Sequence, residues 1–217
     1  MNTDSSVEIR DGVSVSVIHD EPVGDAGWTF VYAPGAGSNI HDPFGAYCCR
    51  ELASRGVSCI RMQFPYQEAG KKSPDRPDVL EGTWRAVIAA LRPASGRLAV
   101  GGRSMGGRIA SQVVVQGSAV DALALFAYPL HPPGRPERAR DAHLPALVVP
   151  VLFCSGTNDA FASPDELRTA AEKTLHATIR LMEAADHGFN APKASGRTSA
   201  DVWVEAVEAM WEWLAAL

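Results

Sequence analysis

The sequence predicts an α/β fold in which a mostly parallel central sheet carries helices on both faces and no large lid. Apolar runs of strand length alternate along the chain with amphipathic stretches of helix length, which is typical of a parallel sheet. One run, ALALFAY at 122–128, is apolar throughout, as expected for a strand buried on both faces. The length of 217 residues, with 46% hydrophobic and 21% charged residues, suits a single domain over residues 1–217.

The first element is expected to be a hairpin that leads into the sheet. The segment VEIRDGVSVSVI alternates between apolar and polar residues, which indicates strands with one buried face. Asp11 and Gly12 lie between its two halves, and an Asp-Gly pair is a strong signal for a two-residue turn. We therefore expect two antiparallel strands ahead of the parallel ones.

The remaining elements follow from apolar runs, helical spacing and turn signals. Strands are predicted at 28–34, 57–64, 98–102, 122–128, 150–156 and 177–182. Helices are predicted at 41–56, 78–91, 108–115, 165–175 and 199–217. The apolar face of the third is clear over 108–115, and the helix itself is expected to begin at Met105. The last helix carries an apolar stripe, which consists of Trp203, Val207, Met210, Trp211 and Leu214.

Two segments are predicted to be irregular. A loop rich in proline, glycine and lysine runs from Pro65 to Pro77. Residues 129–145 contain enough prolines to forbid a regular strand and to discourage a helix. This second segment is short for a lid, so a small soluble substrate is favoured over a large lipid.

The composition argues against several classes of function. The net charge is −5 and no basic stretch resembles a nucleic-acid footprint. No apolar run reaches the roughly 18 residues of a membrane span, and the N-terminus lacks the pattern of a signal peptide. We therefore expect a cytoplasmic protein with a small-molecule substrate and with neither a nucleic acid nor a membrane as partner; the oligomeric state carries no sequence signal.

The cysteines give no sign of a metal or redox site. No C-x-x-C pair is present, so we expect free thiols used as small core residues at Cys48, Cys49, Cys59 and Cys154. Neither a metal nor a cofactor is predicted.

The strongest chemical signal is a serine at 104. Residues 102–106 read GRSMG and match G-x-S-x-G between a predicted strand and a predicted helix. In that context a sharp turn lifts the serine hydroxyl above the sheet, and the amide of Met105 is available to hold an oxyanion. The context favours Ser104 as a nucleophile over an incidental serine in a glycine-rich turn.

A serine nucleophile needs a base, and His187 is the best placed of the six histidines. It follows the strand at 177–182, and loops after the carboxyl ends of parallel strands collect active-site residues. His131, just beyond 122–128, is the rival. The others lie in the hairpin region, in loops or at the opposite edge: His19, His41, His143 and His176.

Besides the serine and the histidine, such a site needs a carboxylate that orients the imidazole. Asp159, in SGTNDAF after the strand at 150–156, lies at the expected edge. Asp165 is better explained as a helix-start residue. Asp186 adjoins His187, and adjacent side chains usually point apart. The chain order is then Ser104, acid, histidine, which is the order of the α/β-hydrolase fold.

The loop PGAGSN at 34–39 is expected to supply the second oxyanion donor. Its glycines allow the backbone to approach a ligand closely. We assign the donor to the amide of Ala36, with Gly37 as the nearest competitor. A dinucleotide-binding loop is disfavoured, because G-x-G-x-x-G would need glycine where Ile40 stands.

Four residues are expected to contact the substrate: Gly37, Phe64, Tyr66 and His131. Three arginines in the irregular segment, Arg135, Arg138 and Arg140, either attract an anionic acyl group or form a solvated charged loop. The solvated loop is the favoured interpretation.

Six stretches of the chain resemble the motifs of the KANL3/Tex30-type α/β-hydrolase family, which is related to the dienelactone hydrolases: GAGSNIHDPF, QFPY, GGRSMGGRIAS, YPLHPPGRPE, LFCSGTNDAF and DHGF. The resemblance runs from about Trp28 to the last helix. It implies a compact, nearly lidless domain with Ser104, Asp159 and His187 as its triad, and it implies no substrate. Dienelactone hydrolases carry cysteine as nucleophile, so the serine here argues against a dienelactone. Pro34 also stands where a histidine often precedes the oxyanion glycine.

The sequence therefore predicts a serine hydrolase that cleaves a small soluble ester or thioester through an acyl-enzyme. One alternative is a non-catalytic binding or scaffold module that retains the fold, as some eukaryotic relatives do in chromatin complexes. The intact set of three residues argues against it. A peptidase of the same fold is the other alternative, since nothing in the sequence separates ester from amide cleavage.

Overall fold

A computed structural model describes residues 2–217, and within them eight strands form one sheet with the order β1-β2-β4-β3-β5-β6-β7-β8. The strands are β1 (Asn2–Arg10), β2 (Val13–Asp20), β3 (Trp28–Ala33), β4 (Ser58–Met62), β5 (Arg97–Arg103), β6 (Ala122–Phe126), β7 (Val151–Gly156) and β8 (Ala177–Met182). The helices are α1 (Pro43–Ala53), α2 (Pro65–Glu68), α3 (Pro77–Leu91), α4 (Met105–Val115), α5 (Pro164–Glu172) and α6 (Ser199–Ala216).

The sheet is parallel from β4 to β8 and antiparallel at its first edge. β1 pairs with β2 around a turn in which Gly12 has a φ of 70°, and β2 pairs antiparallel with β4. β3 lies between β4 and β5 and runs parallel to both, and every later pair is parallel as well. The predicted fold class and the antiparallel hairpin are therefore confirmed.

Each face of the sheet carries its own hydrophobic core. On one face, α3, α4 and α5 cover alternate strand residues such as Val31. On the other face, α1 and α6 cover residues of opposite parity such as Phe30. This alternation follows from the period of two along a strand. The four cysteines are buried in the second core, and none of them forms a disulfide within residues 2–217. Burial raises the pKa of the thiols of Cys48, Cys59 and Cys154.

Two local predictions are wrong. The loop expected after Phe64 begins with the short helix α2, because Pro65 supplies a helical φ and the Gln67 side chain accepts a hydrogen bond from the Phe64 amide at 2.8 Å. On α6, the buried face includes Trp213, whereas Trp203 and Trp211 are only partly buried. The stripe is therefore rotated toward Val202 and Ala206.

The segment at 129–145 is irregular, as predicted, apart from two 3₁₀ turns, Pro136–Arg138 and Leu144–Ala146. Its middle is tied back to the end of β6. The Tyr128 hydroxyl donates to the Arg140 carbonyl at 2.9 Å, and the Arg140 amide donates to the Leu130 carbonyl at 2.7 Å. Within the described part of the chain, no helix is both long enough and apolar enough to cross a bilayer.

Candidate active site

Ser104 occupies a tight turn between the end of β5 and the start of α4. Its φ of 52° and ψ of −116° lie in a region that non-glycine residues rarely adopt. A Cβ added at Gly102 or Gly106 would overlap the carbonyl oxygen of Ala33 at the end of β3. The two glycines of the motif therefore allow the turn to pack directly against the neighbouring strand.

The structure brings Ser104, Asp159 and His187 into one hydrogen-bonded row. The Nε2 atom of His187 lies 2.9 Å from Ser104 Oγ, and Nδ1 lies 2.9 and 2.8 Å from the two carboxylate oxygens of Asp159. The three residues come from loops after the carboxyl ends of β5, β7 and β8. An ionised carboxylate only accepts hydrogen bonds, so Nδ1 donates and Nε2 accepts from the serine hydroxyl.

The carboxylate of Asp159 is held in place on its other side. It is completely buried, and it accepts from the Phe161 amide at 2.8 Å and from the Ser155 hydroxyl at 3.2 Å. The Phe161 ring stacks on the His187 imidazole with ring centroids 4.0 Å apart. These contacts restrict the orientation of both the acid and the imidazole, and sequence reasoning had identified neither Ser155 nor Phe161.

The rival residues have other contacts. His131 lies near Glu166, at 3.3 Å, and lines a separate cavity of about 300 Å³. His131 does not line the cavity over Ser104, because the chain turns away from the sheet edge after Pro129, and its contact with a substrate stays a prediction. The Asp186 carboxylate accepts from the amides of Gly188 and Asn190 and so shapes its own loop.

The loop after β3 lies against Ser104 and is held by α2. A Cβ added at Gly35 would lie 3.6 Å from Ser104 Cβ. The Tyr66 hydroxyl donates to the Ala36 carbonyl at 2.9 Å, and Gln67 donates to the Ser38 carbonyl. Burial, with a smaller contribution from Asp75, raises the pKa of Tyr66 to about 12, so the phenol is a neutral donor.

A cavity of about 580 Å³ opens over Ser104, which is within the range of small-molecule sites. Ala36, Gly37, Met105 and His187 line it. Within residues 2–217 the amides of Ala36 and Gly37 donate no hydrogen bond. Met105 is the first residue of α4, so its amide has no acceptor within that helix.

Two of the residues predicted to contact the substrate, Phe64 and Tyr66, do not line this cavity. Phe64 is fully buried in the first core and stacks near Tyr66, because the chain turns into α2 directly after β4. Tyr66 lines a neighbouring cavity of about 430 Å³ rather than the one over Ser104. Its contact with Ala36 makes it a support of the loop.

Five arginines near the site differ in their surroundings. Arg103 donates to Asp42 at 2.7 Å, whereas Arg108 and Arg140 line the cavity with Ser104. Arg135 and Arg138 are exposed and do not line that cavity. The irregular segment therefore contributes Arg140 and Pro129 to the cavity. Arg108, one helical turn after the serine, is a residue that sequence reasoning missed although its spacing was readable.

Among the described residues, no group of three or more histidine, cysteine or acidic side chains is arranged to hold a metal ion. The arrangement at Ser104 comprises a hydroxyl, an imidazole and a buried carboxylate in series. These are the groups needed to remove a proton from a hydroxyl and to stabilise the positive charge that results.

Comparisons with known proteins agree with this architecture. A family model described as an alpha/beta hydrolase domain matches residues 26–215. XC6422 from Xanthomonas campestris, described as a serine hydrolase without a lid, has a TM-score of 0.75 at 19% identity, over 98% of this chain and 94% of that one.

Two further solved structures, the first of them described as a thermophilic esterase, are similar as well. Est2 from Thermogutta terrifontis has a TM-score of 0.72 at 19% identity, over 99% of this chain and 91% of that one. Est1E from Butyrivibrio proteoclasticus has a TM-score of 0.75 at 12% identity, over 98% and 99% of the two chains. At these identities the likeness is one of fold.

Proposed function

The chain belongs to the alpha/beta hydrolase domain family, and we propose that it is a serine esterase that acts through an acyl-enzyme. The observation that carries this proposal is the unbroken series from Ser104 Oγ through His187 to the buried Asp159, with both separations below 3.0 Å. Esters and thioesters of small molecules are the proposed substrates, since the cavity is about 580 Å³. We also propose that the chain falls within the KANL3/Tex30-type branch of the family.

In the proposed reaction, His187 Nε2 takes the proton of Ser104 as the oxygen attacks the substrate carbonyl. Asp159 accepts from Nδ1 and stabilises the imidazolium that forms. The imidazolium then protonates the leaving alcohol or thiol, which departs and leaves an ester on Ser104. A water molecule, deprotonated by the same imidazole, hydrolyses that ester and regenerates the serine.

The oxyanion of each tetrahedral intermediate needs at least two donors. We assign them to the amides of Met105 and Ala36, with Gly37 as the alternative to Ala36. Support comes from the proximity of the loop to Ser104. Gln67 donates to the Gly35 carbonyl at 3.4 Å and Tyr66 donates to the Ala36 carbonyl at 2.9 Å. A fixed carbonyl also fixes the amide of the next residue, which is Ala36 in the first case and Gly37 in the second. Loss of one such donor costs about 3 kcal/mol in the barrier.

The test is the substitution Ser104→Ala with p-nitrophenyl acetate and p-nitrophenyl butyrate as substrates. We expect kcat to fall at least about 10³-fold, because the remaining groups supply no nucleophile. The matched control is Ser95→Ala, at an exposed position outside the cavity, which should retain wild-type turnover. Unchanged turnover in Ser104→Ala, or a wild type that a fluorophosphonate probe does not label, would contradict the proposal.

A further inference from the structure

The cavity over Ser104 contains two guanidinium groups that the protein leaves without an acidic partner. Within residues 2–217, neither Arg108 nor Arg140 lies within 4.0 Å of a carboxylate oxygen. The third arginine that lines the cavity, Arg103, is paired with Asp42. Asp75 also lines it, but its carboxylate accepts from the Tyr66 amide at 2.8 Å.

Arg108 is placed close to the reacting serine by the helix itself. Its amide donates to the Ser104 carbonyl at 3.0 Å, so the two residues are one turn apart on α4. One turn corresponds to about 6 Å along the helix axis for four residues. A group bound at Arg108 is therefore within a few carbon atoms of a carbonyl under attack by Ser104.

The Arg108 side chain is also incompletely satisfied. Its Nε atom is buried and has no hydrogen-bond partner in the described part of the chain. Among the described residues, its side chain donates only to the Gln112 amide oxygen, at 3.4 Å. Burial, and then the nearby charge of Arg140, lowers the pKa of Arg108. Two like charges that line one cavity destabilise the free protein, and an anion bound between them lowers that repulsion.

The backbone of Arg140 is fixed by two hydrogen bonds. Its amide donates to Leu130 and its carbonyl accepts from the Tyr128 hydroxyl, so the backbone at Arg140 is tied to the sheet edge although the segment is irregular. The two guanidinium groups thus come from independent elements, α4 and the segment after β6, and line the same cavity.

We propose that Arg108 and Arg140 form a carboxylate-binding subsite and that the substrate is a short ester bearing a carboxylate. This inference rests on the proposed esterase function and adds the chemical class of the substrate. Guanidinium groups bind carboxylates through paired, charge-assisted hydrogen bonds, which supply both affinity and orientation.

The first experiment compares two matched pairs of esters. One pair is p-nitrophenyl hydrogen glutarate and p-nitrophenyl valerate, which differ in the carboxylate of the acyl half. The other pair is 4-acetoxybenzoate and 4-acetoxybenzamide, which differ in the leaving half. We expect kcat/KM to favour the carboxylate by about 10- to 100-fold in one of the pairs, the size typical of a hydrogen bond to a charged group. The pair that shows the preference identifies the half of the ester that the subsite holds.

The arginines are then tested by substitution. Arg108→Gln and Arg140→Gln should each lower the preference for the carboxylate about tenfold, whereas Arg135→Gln, on the exposed part of the same segment, should leave it unchanged. A wild type that hydrolyses the neutral esters with no preference for either carboxylate would overturn this proposal and leave the esterase function standing.

A binding measurement covers the case in which no ester is hydrolysed and the proposed function itself fails. Calorimetric titration of Ser104→Ala with p-nitrophenyl hydrogen glutarate and, separately, with 4-acetoxybenzoate should give binding of at least one of them that Arg108→Gln weakens about tenfold, the size typical of losing a hydrogen bond to a charged group. Equal affinity for both esters with and without Arg108, or no binding of either ester to Ser104→Ala, would overturn the subsite.

Discussion

Two arginines on either side of Ser104 have opposite surroundings. Arg103 directly precedes the serine and donates to Asp42, a carboxylate that is 1% exposed and that also accepts from the Tyr32 hydroxyl at 2.6 Å and the Gly45 amide at 2.9 Å. Arg108 follows the serine by one helical turn and has a buried Nε atom without a partner within residues 2–217.

The difference separates structural charge from charge that is available to a ligand. Arg103 and Asp42 join the turn at Ser104 to the N-terminus of α1, where Asp42 is the capping residue. A pair of this kind is costly to break because each remaining charge is left uncompensated. Arg108 contributes no such link, and an unsatisfied charge in a cavity is the kind of local inconsistency expected at a functional site.

The largest effect should come from removing the carboxylate of the paired arginine. Asp42→Ala leaves Arg103 without its partner, removes the cap of α1 and removes the acceptor of the Tyr32 hydroxyl. We expect the free energy of unfolding to fall by about 3–5 kcal/mol. Urea denaturation measures it, and Asp42→Asn, which can still accept from the Gly45 amide, should lose less. A loss below about 1 kcal/mol would show that the pair is not a structural link.

The same contrast explains how far the sequence predicts this molecule. The strands follow from apolar runs, and the approach of Ser104, Asp159 and His187 follows from topology, because residues after the carboxyl ends of adjacent parallel strands meet at one edge. Strand order alone does not give the direction of the chain beyond that edge. His131 lies just after a strand, but its segment turns away and places it beside a different cavity.

Pocket residues were harder to predict because they depend on packing between distant segments. Phe64 and Tyr66 have the composition of a substrate pocket, but α2 turns Phe64 into the core and directs the Tyr66 hydroxyl to the Ala36 carbonyl. The pairing of Arg103 with Asp42 joins residues 61 positions apart and leaves no local pattern. Arg108 does have a local sequence signal, because a residue four positions after Ser104 on a helix lies on the same face as the serine.

A glycine between the two arginines offers an intermediate effect. At Gly106 an added Cβ would overlap the Ala33 carbonyl oxygen and lie 2.7 Å from that of Pro34, both of them backbone atoms. We expect Gly106→Ala to lower the free energy of unfolding by about 1–3 kcal/mol, because α4 must move away from β3. Esterase activity should fall with it, since the same shift displaces Ser104.

The matched control for Gly106→Ala is Gly82→Ala, in the middle of α3, where nothing lies within 4 Å of an added Cβ. There the loss of backbone entropy in the unfolded chain should raise stability by about 0.5–1 kcal/mol. Equal effects at the two positions would mean that the contact with β3 does not determine the geometry of the turn.

The smallest effect on stability should come from Arg108 itself. Arg108→Gln removes a partly desolvated charge that Arg140 repels and that has no carboxylate oxygen within 4.0 Å in residues 2–217, so we expect the free energy of unfolding to stay the same or rise by up to about 1 kcal/mol. Arg103→Gln, in contrast, should lower it by about 1–3 kcal/mol, because the buried Asp42 carboxylate loses its counterion. Thermal denaturation of the two variants side by side measures the difference.

A destabilised Arg108→Gln would assign this arginine to the structure of the turn. If it is neutral or stabilised, and if added glutarate raises the Tm of the wild type but not of Arg108→Gln, then the charge at Arg108 stabilises a ligand rather than the fold.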